Sequence, residues 1–92
     1  MNDLKIVKNI LEKFYDLHSN PTFIFGSRAN NTHREDSDLD ILIEDTSLES
    51  SKISFLNEAF EQSPLRYKVD LVLKSRIDED FYIKIKNNGI KL

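Results

Sequence analysis

Ninety-two residues, 39% hydrophobic and 32% charged, suffice for one small domain with a thin core and are too apolar for a disordered tail. A net charge of −3 and an isoelectric point near 5.3 argue against a partner of duplex nucleic acid, which calls for a basic face. There is no cysteine for disulfide or thiolate chemistry, no apolar run near the roughly 20 residues of a membrane span, and no secretory pattern in Met1-Asn2-Asp3-Leu4-Lys5, so a cytoplasmic protein without membrane association is expected.

In residues 3–17, Leu4, Val7, Ile10, Leu11, Phe14 and Leu17 recur at helical spacing between charged residues, which predicts an amphipathic helix stopped by Ser19-Asn20-Pro21. Thr22-Phe23-Ile24-Phe25 reads as a short buried strand running into Gly26-Ser27. The polar stretch 26–37 has no apolar period and predicts a loop, the kind of segment that carries function. Residues 38–44 alternate as a second strand, with Leu39, Ile41 and Ile43 facing one way and Asp38, Asp40 and Leu42 the other.

Ile53, Leu56, Ala59 and Phe60 mark a second helix, ended by Ser63-Pro64. Residues 67–73 form a third strand, with Val69, Leu71 and Leu73 on one face and Asp70 and Val72 on the other. Further on, Phe81, Ile83 and Ile85 alternate like a strand, but Asp78-Glu79-Asp80 suits a helix N-terminus and Gly89 a helix end, which favours a helix. Ile90-Lys91-Leu92 offers a short closing strand. The expected architecture is α/β (α+β): one domain over residues 1–92, with a small mixed sheet flanked by helices in the order α-β-β-α-β-α.

The aspartates carry the chemistry. Residues i and i+2 of a strand share a face about 6.6–7 Å apart, so Asp38 and Asp40 project into one volume. Asp70, between inward-facing Val69 and Leu71, emerges on the face away from the core, and if the strands are neighbours three carboxylates converge. Their repulsion is best relieved by a hard divalent cation with oxygen ligands, which points to Mg²⁺ on Asp38, Asp40 and Asp70. Gly26-Ser27 ends the first strand at the same edge. There the Ser27 hydroxyl and the amides near Arg28 form a candidate cradle for the phosphates of a nucleoside triphosphate. The expected reaction is in-line attack on the α-phosphorus, with pyrophosphate leaving.

Gly26-Ser27, ten residues, then Asp38-Leu39-Asp40 resembles the signature of the nucleotidyltransferase superfamily that includes DNA polymerase β. The run GSRANNTHREDSDLDILIE, with Val69-Asp70-Leu71-Val72 as the third acidic strand, is similar to the minimal nucleotidyltransferases, over residues 23–73. The resemblance implies a fold like the polymerase β palm and a chain that transfers AMP from ATP to a tyrosine of a HEPN-domain ribonuclease toxin, acting as its antitoxin. It carries Asp38, Asp40 and Asp70 over as metal ligands and catalytic carboxylates, and Gly26 and Ser27 as the phosphate-binding pair. Arg28 and Arg34 become candidate nucleotide contacts. After Ala29 this chain departs from the family's Arg-Gly with Asn30-Asn31, which removes an arginine near the phosphates.

Blander readings stand beside these. An isolated Asp-x-Asp is commonly a solvated surface pair, and Arg28 and Arg34 are equally suited to pairing with Glu35 and Asp36. A calcium loop starting at Asp36 is excluded by Ile41 at the sixth position and Ser47 at the twelfth. His18 and His33 have no metal-spaced neighbours and read as surface residues. The six phenylalanines, Phe14, Phe23, Phe25, Phe55, Phe60 and Phe81, fall on expected apolar faces and read as core rather than base-stacking residues. Two other functions compete with AMP transfer: a non-catalytic antitoxin that neutralises its HEPN partner by contact, and a small-molecule nucleotidyltransferase. The latter needs a second domain to shape its acceptor pocket.

Overall fold

The computed structural model describes residues 2–26, 38–44 and 50–92. Its elements are α1 (Asn2–Glu12), β1 (Thr22–Phe25), β2 (Leu39–Ile43), α2 (Ser50–Glu61), β3 (Val69–Leu73), a 3₁₀ turn (Lys74–Arg76), α3 (Glu79–Asn88) and β4 (Ile90–Lys91). The strands form one sheet in the order β3-β2-β1-β4, with β2 and β3 parallel and β1 antiparallel to both of its neighbours. This is the mixed sheet with flanking helices that the sequence leads one to expect, closed by β4 where Ile90-Lys91-Leu92 offered a strand, with the 3₁₀ turn as an addition.

Strand alternation sends two sets of side chains to opposite faces. Leu39, Ile41, Ile43 and Val69 join Val7, Leu11, Leu56 and Phe60 in the main core, beneath α1 and α2. Phe23 and Leu42 face the other way and pack on Tyr82 and Ile85 of α3. Because β2 is covered on both faces, Ile41, Leu42 and Ile43 have no accessible surface.

The first helix is shorter than its apolar period. It ends at Glu12, where Lys13 and Phe14 amides tighten onto the Ile10 and Leu11 carbonyls, and Asp16 then takes over as the local acceptor. Its carboxylate accepts from the His18 amide at 2.9 Å and the Ser19 hydroxyl at 3.1 Å, bonds that hold its pKa below the ordinary value. The turn beyond Glu12 still lays half-buried Phe14 and buried Leu17 on the core, which is why the apolar spacing outlasts the helix.

The C-terminal segment is helical, as its charges suggested. Asp78 caps α3 by accepting from the Phe81 amide at 2.8 Å, with Glu79 and Asp80 in the first turn. Gly89 closes it through its amide to the Ile85 carbonyl at 2.7 Å. A Cβ at Gly89 would stand 2.6 Å from that carbonyl oxygen and 2.8 Å from the Ile24 carbonyl oxygen, so the absent side chain lets β4 reach β1.

Two phenylalanines depart from the expectation of a wholly buried set: Phe55 is 58% exposed and Phe81 42%. Each flanks rather than occupies the inward stripe of its helix. Helix α2 turns Leu56 and Phe60 inward, and α3 turns Tyr82 and Ile85 inward. His18 is exposed, as expected, and His33 lies outside the described residues.

Candidate active site

Asp40 and Asp70 are direct partners in the parallel pairing of β2 with β3. Each precedes by two positions a residue packed toward α3, Leu42 in β2 and Val72 in β3. Strand alternation therefore projects both carboxylates onto the α3 face, away from the main core. Asp38 is exposed and sits just before β2, two residues from Asp40.

The electrostatics link all three. The pKa of Asp40 is raised above 3.8, first by burial, then by the negative charge of Asp70, then by that of Asp38. Asp40 is thus the half-buried member of a group of like charges, and a cation among them would relieve the repulsion. The donors are all carboxylate oxygens, which suits a hard divalent ion. Among the described residues, no three acidic, histidine or cysteine side chains close into a ready-made metal-ligand group.

Gly26 connects the carboxylates to the end of β1. Its φ is +79°, in the left-handed region that favours glycine, and an ideal Cβ there would lie 2.5 Å from Oδ2 of Asp40. Any side chain at this position would strain the turn and push the Asp40 carboxylate aside. The sequence suggested a turn glycine but not this contact, which depends on the pairing of Phe25 with Asp40 across β1 and β2. Ser27, Arg28 and Arg34, the other expected phosphate contacts, lie outside the described residues.

On the open edge of the sheet, a recess of about 340 Å³ borders Asp70 between α2 and β3, with Phe60 and Lys68 in its wall. It opens on the α2 side of β3, the face opposite the Asp40 and Asp70 carboxylates.

A family model described as the nucleotidyltransferase domain matches residues 4–92. The chain belongs to that family. This nucleotidyltransferase is also 35% identical over 80 residues to the probable protein adenylyltransferase MntA of Haemophilus influenzae, an alignment that spans 86% of this chain and 68% of that relative. The four-stranded mixed sheet with its flanking helices is consistent with the nucleotidyltransferase fold. Among the described residues, no helix is long and apolar enough to cross a membrane.

Proposed function

We propose that residues 1–92 act as one minimal, magnesium-dependent nucleotidyltransferase domain that transfers AMP from ATP to a tyrosine hydroxyl of a HEPN-family ribonuclease toxin, as its antitoxin in the cytoplasm. The observation that carries this reading is the registered pair Asp40 and Asp70 on one face of the sheet, with the Asp40 carboxylate lying against Gly26. The protein acceptor is supported by the relative's name, and the HEPN toxin by the likeness to minimal nucleotidyltransferases.

In this reading Gly26 and Ser27 cradle the triphosphate, and Arg28 and Arg34 neutralise part of its charge. Asp38, Asp40 and Asp70 hold the magnesium, which when bound screens the phosphate oxygens and acidifies the incoming hydroxyl. The acceptor oxygen bonds to the α-phosphorus as the bond to the bridging oxygen of pyrophosphate breaks. Asp70, in the edge strand β3, receives the hydroxyl proton.

Incubation of the chain with magnesium, ATP labelled at the α-phosphate and the HEPN ribonuclease encoded beside it tests this directly. The expected result is a labelled, silenced ribonuclease, with both effects lost in Asp38→Ala. Silencing without label would replace the enzyme by a module that neutralises its partner through contact alone.

A further inference from the structure

Phe81 is a large apolar side chain with no place in either core, and its position relates it to the carboxylates. Its ring meets that of Phe25 edge to face, with centroids 5.7 Å apart and planes at 88°. Phe25 is the residue immediately before Gly26 and is paired directly with Asp40. Directly opposed residues project from the same face with Cβ atoms about 4.5–5.5 Å apart, so Phe25 neighbours both Asp40 and Phe81. Perpendicular packing covers at most one face of either ring, and Phe81 remains 42% exposed.

We propose that Phe81, backed by Phe25, is the platform on which the base of the bound nucleoside triphosphate stacks. The proposal rests on the nucleotidyltransferase reading above and adds the position of the base to it. Aromatic side chains bind bases through their π-faces, a contact every base can make. The surrounding charge fixes the direction of the nucleotide. Asp78, Glu79 and Asp80 are exposed in the turn that leads into and begins α3, and they disfavour a triphosphate beside Phe81 while tolerating an uncharged base. Gly26 follows Phe25 in the chain and lies against the Asp40 carboxylate, at the end suited to the phosphates. A nucleotide laid along this line has its phosphates at Gly26 and Asp40 and its base on α3.

The test compares two ligands that differ only in having a nucleoside. ATP and inorganic tripolyphosphate, each with magnesium, are titrated by calorimetry into the full chain and its variants. Phe81→Ala is expected to weaken ATP binding about tenfold and leave tripolyphosphate binding unchanged. Phe55→Ala, which removes an exposed aromatic from the helix layer on the other face, is expected to leave both as in the wild type. The chain has no tryptophan, so Phe81→Trp supplies a single reporter whose fluorescence ATP quenches and tripolyphosphate does not, and it carries the test if the alanine variant fails to fold. Equal losses for the two ligands, or none for either, would overturn the platform and leave the nucleotidyltransferase reading intact. Unchanged ATP binding with lost association to the ribonuclease would make Phe81 a protein-docking residue and also overturn it. Failure of the wild type to bind either ligand would remove the nucleotide reading and the platform together.

Discussion

The two faces of the sheet are built from alternate residues of the same strands, yet they do different work. Beneath α1 and α2, Leu39, Ile41, Ile43 and Val69 meet Val7, Leu11, Leu56 and Phe60 in a continuous apolar layer. Beneath α3, among the described residues, the buried apolar set is Phe23, Leu42, Tyr82 and Ile85, and Tyr82 donates its hydroxyl to Glu44. The same face carries Asp40 and Asp70, whose mutual repulsion opposes folding. In so small a protein, stability is concentrated on one side of a single sheet, and the other side is free to hold unfavourable charge for the sake of chemistry.

Truncations on the two faces give the largest contrast. Leu56→Ala, at a fully buried position of the main core, is expected to lower stability by about 2–5 kcal/mol. Val72→Ala, half-buried on the α3 face, is expected to cost about 1 kcal/mol. Urea unfolding of both variants measures the difference, and similar losses would show that the faces share the stability equally.

Gly26→Ala has a smaller effect on folding and a larger one on chemistry. Placing alanine at φ +79° costs about 1–2 kcal/mol, and the new methyl displaces the Asp40 carboxylate. AMP transfer should fall further than the denaturation midpoint explains. Full transfer in a folded Gly26→Ala protein would break the link between the turn and Asp40.

The smallest effect concerns the charge on Asp40. Its folded pKa is raised, so the folded state holds this proton more tightly than the unfolded state does, and unfolding releases it. Asp40 therefore favours the fold below pH 3.8, and that contribution is lost as pH rises through the raised folded value. Relative to wild type, Asp40→Asn should gain stability over this window, on the order of a few tenths of a kcal/mol after solvent screening, and keep the gain at neutral pH. Melting curves of the two proteins across the window test this. Added magnesium should narrow the gap by stabilising the wild type alone.

Much of this architecture was legible because it rests on local periods. The alternation in β2 and β3 separates core residues from carboxylates without knowledge of the pairing, and the spacing from Gly26-Ser27 to Asp38-Leu39-Asp40 matches the signature of the nucleotidyltransferases. The misreadings have local causes too. Phe14 and Leu17 keep the helical apolar spacing after the helix has ended at Glu12, so the end of α1 was hidden. Phe55 and Phe81 lie beside inward stripes whose rotation is set by packing, which a list of apolar positions does not reveal. The registration of Asp40 with Asp70 and the approach of Gly26 to Asp40 are contacts between distant segments, and no local pattern encodes them.

The parallel register of β2 and β3 also bears on how such a domain can diverge. The crossover from β2 to β3 through α2 joins the strands without setting their alignment, so insertions within it are compatible with an intact triad. A one-residue slip between the strands is another matter, because it would rotate Asp70 under α2 and present Val69 or Leu71 to the substrate. Homologues of unequal length should accordingly differ in the crossover while keeping the strand alignment.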